Sequence, residues 1–229
     1  MALDEIVTSI EGFDGIWRDL QAALGNLALQ DAKQTRNGTV LKVQRGAEAL
    51  AIKFTSTDGT GPQNDDSRWA SIGKEAIALQ QLGPALTGDL YRDSGDHGTT
   101  RYLATRWMDG PSLARLSTPL RPDRRRAIAA LCMDAMRPIR RLHQAGWVHG
   151  DLQPAHLLRN DGGPFNLIDF GWAKPVGTDN GYRGAMVHFA SPRVATQMLS
   201  GTTPVDCTIA DEAFSFFAVA FYCLYGVAI

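Results

Sequence analysis

The spacing of apolar positions changes several times along the chain, and each change marks an element. Over residues 4–29, Ile6, Ile10, Phe13, Ile16, Trp17, Leu20, Leu24 and Leu27 recur mostly three and four apart. That spacing predicts an amphipathic helix, with Gly12 and Gly15 as the places where it can break. Its apolar stripe needs cover, from a partner or, more simply, from the body of this protein. Residues 32–54 read as strands, with tight turns at Asn37-Gly38 and Arg45-Gly46 between apolar runs at 39–43 and 49–54. Helical spacing returns over residues 67–82, with Asp65, Asp66 or Ser67 available as a cap. The stretch 55–66 before it is rich in Gly, Asp and Asn and reads as a loop. Residues 102–108 form another apolar strand. Residues 121–146 read as a long basic helix with a stripe through Ile128, Leu131, Met136, Ile139 and Leu142, and Pro138 inside it predicts a kink or break. Leu157-Leu158 and residues 165–168 flank Asn160-Asp161-Gly162-Gly163, a hairpin signal.

Residues 213–229 are apolar on all sides, in a run just short of a comfortable bilayer span. Ser215, Tyr222 and Gly226 suit protein packing, so a buried helix is expected there, with a membrane anchor as the other reading. A chain of 229 residues with 44% apolar content can bury a core in one domain or two small lobes. Its net charge of −1 gives no bulk electrostatic reason to expect nucleic-acid or membrane binding. The three cysteines, Cys132, Cys207 and Cys223, lack metal-ligand spacing, and their odd number argues against a disulfide framework. A reduced, cytoplasmic compartment is expected. The acidic N-terminus does not read as a signal peptide. The arginines at 124–126 and 140–141 read as a solvated face that an acidic substrate could also use.

Asp151 and Asp169 sit just outside opposite ends of the predicted 157–168 hairpin, so folding it brings them close together. Two neighbouring carboxylates usually need a cation between them, or one holds a metal while the other accepts a proton. The plainer alternative is a pair of turn aspartates at strand ends.

The residues from Trp147 to Lys174 resemble the catalytic core of the protein-kinase superfamily. His149-Gly150-Asp151-Leu152-Gln153-Pro154-Ala155-His156 stands where kinases carry H-R-D-L-K-P-x-N, and Asp169-Phe170-Gly171 is an intact D-F-G. Ala51-Ile52-Lys53 resembles the V-A-I-K strand, Glu75 lies on the following helix, and residues 102–113 resemble the last sheet strand and hinge. The resemblance covers residues 30–226 and implies an α+β, two-lobed protein-kinase-like fold with a truncated helical C-lobe. In that reading residues 1–30 are a helical extension, 31–108 the N-lobe and 109–229 a minimal C-lobe. It further implies that Asp151 deprotonates the acceptor hydroxyl and that Asp169 holds Mg²⁺ on the phosphates of ATP. Lys53, paired with Glu75, would grip the α- and β-phosphates, with the nucleotide between the lobes. Gly38, Val40, Thr105, Arg106, Met108 and Leu158 are the remaining nucleotide-contacting positions it implies, with Thr105 as gatekeeper.

Several positions depart from the kinase pattern. Lys33 and Thr35 occupy two glycine positions of the phosphate-covering loop, which predicts a weaker backbone grip unless Lys33, Thr35 or Arg36 contributes side-chain contacts. Gln153 replaces the catalytic-loop lysine, removing a positive charge from the site. His156 replaces the asparagine that binds a second metal; it can serve as a metal ligand, with Mn²⁺ then as an alternative to Mg²⁺, or as a hydrogen-bonded neighbour. Gly150 replaces the arginine on which a phosphorylated activation loop docks, so no such switch is expected. Arg193 follows Ser191-Pro192 where kinases carry a glutamate paired with a distal arginine, in a region beyond Ile229. Asp211, from a D-x-W-S-like motif, is expected to bond the catalytic-loop backbone. Three functions fit: an ATP-dependent Ser/Thr kinase-like phosphotransferase acting on a protein or peptide hydroxyl, a nucleotide-binding pseudokinase that scaffolds a partner, and a small-molecule kinase. A second copy or a partner protein is expected over the apolar C-terminal helix, with no nucleic acid or membrane involved.

Overall fold

In a computed structural model, which describes residues 3–35, 38–56, 66–117, 124–159, 162–178, 187–201 and 205–226, the N-terminal stripe forms two helices. These are α1 (Leu3–Thr8) and α2 (Phe13–Leu24), separated at Gly12, whose φ of 70° is left-handed. The strand pattern continues earlier than the sequence predicts, through β1 (Ala28–Thr35), β2 (Gly38–Arg45) and β3 (Glu48–Ser56). The expected turn residue Asn37, the loop at 57–65, the helix start at 121–123, the hairpin tip Asn160-Asp161 and residues 179–186 lie outside the described residues. Helix α3 (Asp66–Thr87) follows and is interrupted at Gly83, where φ 67° and ψ 175° leave the helical region just before Pro84. Next come β4 (Tyr91–His97) and β5 (Thr100–Arg106). The molecule is therefore α+β, with a five-stranded antiparallel sheet in its N-terminal part followed by helices.

The chain divides into two compact units, Met1–Pro84 with Asp89–Trp107, and Ala85–Gly88 with Met108–Ile229. In the first, the sheet has strand order β1-β2-β3-β5-β4. Alternation sends Leu41, Val43, Leu50, Ile52 and Phe54 to one face, where Ile6, Ile10, Ile16, Leu20 and Leu24 of the N-terminal helices cover them. The apolar stripe thus finds its cover within its own unit. Asp19 of α2 ties this layer to the sheet by accepting from the Thr99 amide at 3.2 Å and the Thr100 hydroxyl at 3.1 Å. Leu20 is fully buried, and truncating such a side chain to alanine costs about 2–5 kcal/mol.

The second unit holds α4 (Leu113–Ser117), α5 (Arg125–Gln144), β6 (Trp147–Val148), β7 (Leu157–Arg159), β8 (Phe165–Leu167), β9 (Lys174–Pro175), α6 (Pro192–Leu199) and α7 (Ile209–Tyr225). Ile128, Cys132, Ala135, Ile139 and Leu142 repeat at four and three along the buried face of α5. Contrary to the expected break, α5 continues through Pro138, which is itself buried. Helix α7 begins with a capping box between Thr208 and Asp211. It is not buried on all sides as expected: Ala218, Val219 and Cys223 face inward, while Phe217, Tyr222 and Tyr225 are exposed. Among the described residues, no helix is long and apolar enough to cross a membrane.

Candidate active site

Register places part of the candidate site on one face of the sheet. Val40 pairs with Lys53, Lys53 with Leu103, and Ala51 with Thr105, all on the face opposite the N-terminal helices. On that face Lys53 Nζ lies 2.7 Å from Glu75 Oε2 of α3. Glu75 is only 4% exposed, so the ion pair forms where water screens it weakly and the lysine head is held in one place. Thr105 is half-buried, and the Arg106 amide donates to the Leu90 carbonyl at 2.8 Å. Gly38 opens β2 opposite Thr35. Of the other implied nucleotide contacts, Met108 is buried and Leu158 lies in β7; both belong to the second unit.

In the second unit β7 and β8 pair as the expected hairpin, Leu157 opposite Leu167 and Arg159 opposite Phe165. The Ile168 amide extends the ladder by donating to His156 O at 3.0 Å, which sets His156 beside Asp169. Asp169 has φ 66°, a left-handed conformation uncommon outside glycine and typical of strained functional turns. His156 Nδ1 lies 2.9 Å from the Asp151 carbonyl, and its Nε2 lies 3.3 Å from Asp169 Oδ2. A carbonyl only accepts, so Nδ1 carries a proton and Nε2 is the ring nitrogen turned towards the Asp169 carboxylate.

The loop before the hairpin is held by buried polar contacts. His149 is fully buried, and desolvation keeps its imidazole below its usual pKa and neutral at pH 7. The Asp151 amide donates to His149 Nδ1 at 3.3 Å, so Nε2–H donates to the Ile168 carbonyl at 3.0 Å. Gly150 has φ 80°, and a Cβ there would meet the Trp172 carbonyl oxygen at 2.6 Å, so the arginine found in kinases has no room. The Gly150 amide donates to Glu212 Oε1 at 2.7 Å, and Glu212 Oε2 lies 2.6 Å from His143 Nε2. This corrects an expectation, because Glu212 rather than Asp211 of α7 bonds the catalytic-loop backbone. Asp211 accepts instead from Ser191 at 2.6 Å and from Thr208, and it pairs with Arg193. Burial pushes its carboxyl up, but the hydrogen bonds from Arg193, Ser191 and Thr208 outweigh that and hold it well below the usual range. Arg193 therefore has a local partner within its unit. Neither Glu212 nor His143 was singled out from sequence; a second carboxylate at the start of an apolar helix was the available signal.

Asp151, His156 and Asp169 offer ligand atoms that all lie within 4.8 Å of one another. Gln153 Nε2 donates to Asp151 Oδ2 at 3.3 Å, whereas Asp151 Oδ1 is buried and has no hydrogen-bond partner among the described residues. A buried carboxylate oxygen without a donor among the described residues, a second carboxylate and an imidazole nitrogen fit a divalent cation. The back-side bond from Nδ1–H to a carbonyl is the usual support of a ligating histidine. The mixed oxygen and nitrogen set suits Mn²⁺ better than Mg²⁺.

The model of a family described as "Phosphotransferase enzyme family" matches residues 14–175. Among curated proteins, the chain is 29% identical over 158 residues to a probable serine/threonine-protein kinase PknB of Lactococcus lactis, covering 66% of this chain and 24% of that protein. It is 29% identical over 154 residues to the serine/threonine-protein kinase Tao of Drosophila melanogaster, covering 67% and 14%. It is also 30% identical over 116 residues to a probable serine/threonine-protein kinase PkwA of Thermomonospora curvata, covering 49% and 15%. The aligned stretch therefore spans no more than 24% of these relatives' own length. Lys53, Glu75, Asp151, His156 and Asp169 all fall inside the family match, which stops before α6 and α7. Covering well over half of the chain, that match makes the protein a member of this phosphotransferase family within the protein-kinase-like superfamily, a membership that implies ATP as phosphoryl donor.

Proposed function

We propose that the protein transfers the γ-phosphoryl group of ATP to a serine or threonine hydroxyl of a protein or peptide, with Asp151 as the base. The observation that carries this reading is the state of the Asp151 carboxylate: one oxygen is held by Gln153, and the other is buried without a donor among the described residues. A hydroxyl presented to Oδ1 would satisfy that oxygen and hand over its proton as its oxygen bonds to the γ-phosphorus and the bond from that phosphorus to the departing ADP breaks. Lys53, steadied by Glu75, would neutralise the α- and β-phosphates, and Asp169 with His156 would hold one metal ion, Mn²⁺ or Mg²⁺. That ion supplies charge neutralisation on the transferring phosphoryl group. Gln153 brings no positive charge, so turnover should be slow. In this reading the sheet-bearing unit and the helical unit are the two lobes of a kinase-like fold. The relatives named above are called serine/threonine kinases, which supports a protein acceptor.

A second acceptor class, a small hydroxylated metabolite, is favoured by Gly150. With no room for a side chain at that position, the loop lacks the arginine through which protein kinases sense a phosphorylated activation segment. Transfer of labelled γ-phosphate with Mn²⁺ or Mg²⁺, offered first a peptide library and then a panel of hydroxylated metabolites, separates the two. Label in Ser/Thr peptides that disappears with Asp151→Asn supports the first reading, and label only in metabolites supports the second. Equal background for wild type and Asp151→Asn in every mixture would leave a nucleotide-binding scaffold.

A further inference from the structure

On the helical unit, α5 together with Arg159 and residues 162–164 lines a groove of about 720 Å³. One wall is the α5 face carrying Arg137, Arg140, Arg141 and Gln144, and the other is Arg159 with Gly162, Gly163 and Pro164. Among the described lining residues, four guanidinium groups thus meet a single carboxylate, Asp134. Asp134 lies 3.2 Å from Arg137 and 3.8 Å from Arg159, so it sits between two of the four. Arg159 is also fixed from behind: it donates to the Gly163 carbonyl at 2.8 Å and to the Gly162 carbonyl at 3.2 Å, and it stacks 5.5 Å over the Phe165 ring. Arg140 and Arg141 are exposed, and among the described residues no carboxylate lies within 4 Å of either.

Guanidinium groups converging on a concave, partly apolar wall raise the local positive potential and bind carboxylates in bidentate fashion. From Arg137 to Gln144 the helix rises about 10 Å, the length of three or four extended residues. Among its described lining residues the groove offers no aromatic face on which a base could stack, and neighbouring Phe165 is buried and covered by Arg159. Its concavity also suits a chain better than a flat lipid surface. Met133, 62% exposed and one turn before Arg137 on the same helix, offers an apolar contact at one end.

We propose that this groove docks a short acidic segment, extended and rich in Asp and Glu, of a protein partner. Binding there requires neither nucleotide nor phosphotransfer, so it stands or falls separately from the catalytic reading. The test is fluorescence anisotropy on the full chain without ATP, using a labelled peptide of about eight residues alternating Glu and Leu, with Lys in place of Glu as control. The acidic peptide should bind, and raising salt from about 50 mM to about 500 mM should weaken it, as expected for partly exposed charges. Arg140→Glu with Arg141→Glu should weaken it at least about tenfold, since two charge-assisted contacts are lost. Arg126→Glu, exposed on α5 but outside the groove, should leave it unchanged. Binding that is undetectable, or equally lost with Arg126→Glu, overturns the proposal. So does equal binding of a single-stranded oligonucleotide or an anionic vesicle, also abolished by the Arg140/Arg141 variant. Circular dichroism of each variant confirms that a lost signal reports the groove and not the fold.

Discussion

The two units handle charge in opposite ways at their candidate residues. In the sheet-bearing unit, Lys53 and Glu75 neutralise each other at 2.7 Å, and the buried carboxylate has its cation in place. In the helical unit, Asp151 and Asp169 crowd round a single imidazole, and one carboxylate oxygen is buried without a donor. The first half is electrostatically closed by the chain itself. In the second, Asp151 Oδ1 is left without a donor among the described residues, at a cost that a bound group would relieve.

The largest effect expected from that contrast falls on chemistry. Asp151→Asn should lower phosphotransfer by about 10²–10⁴-fold while ATP affinity, measured by calorimetry, stays nearly constant. Loss of binding in parallel with activity would mean that Asp151 holds substrate and does not serve as base. The next concerns metal. Mn²⁺ at about a hundred times its Kd should stabilise the wild type by about 2.7 kcal/mol in thermal unfolding, and the gain should vanish in Asp169→Asn and His156→Ala. An unchanged gain in both variants would place the metal elsewhere.

Stability should then distinguish the closed half from the open one in metal-free protein. Glu75→Ala removes the partner of a partly buried ammonium and should cost about 1–3 kcal/mol by urea titration, the exposed part of Lys53 keeping it to the lower end. Asp169→Asn relieves repulsion between neighbouring carboxylates and should leave stability unchanged or raised. Equal destabilisation by the two would erase the contrast. The smallest effect belongs to Asp211, a carboxylate of the helical unit that is closed by Arg193, Ser191 and Thr208. Its folded pKa lies below the ordinary 3.8, so its stabilisation is present above that value and is lost as pH falls from about 4 towards the folded pKa. The slope should reach at most about 1.4 kcal/mol per pH unit, and Asp211→Asn should flatten it in acid urea titrations.

Much of this was legible along the chain because it depends on neighbours in sequence. The N-terminal stripe, the alternation of β2 and β3, and the hairpin that joins His156 to Asp169 follow from local periodicity and turn chemistry. Lys53 and Glu75 stand 22 residues apart, yet a strand followed by a helix was enough to anticipate their meeting. Strand β4 escaped notice. Tyr91–His97 is mostly polar, with no alternation, and it is a strand because β5 offers it an edge to pair with.

The sequence by itself determined the identity and order of the chemical groups: a lysine on a strand, a glutamate on a helix, and an aspartate at each end of a hairpin. Tertiary structure decided which carboxylate of Asp211-Glu212 turns to the catalytic loop. Adjacent helix positions point about 100° apart, so one residue of register sends Glu212 to Gly150 and Asp211 to Arg193. It also decided that α5 passes through Pro138 unbroken and that α7 buries one face while exposing Phe217 and Tyr225. These outcomes depend on what packs against each helix, and packing partners distant in sequence leave no local periodic trace.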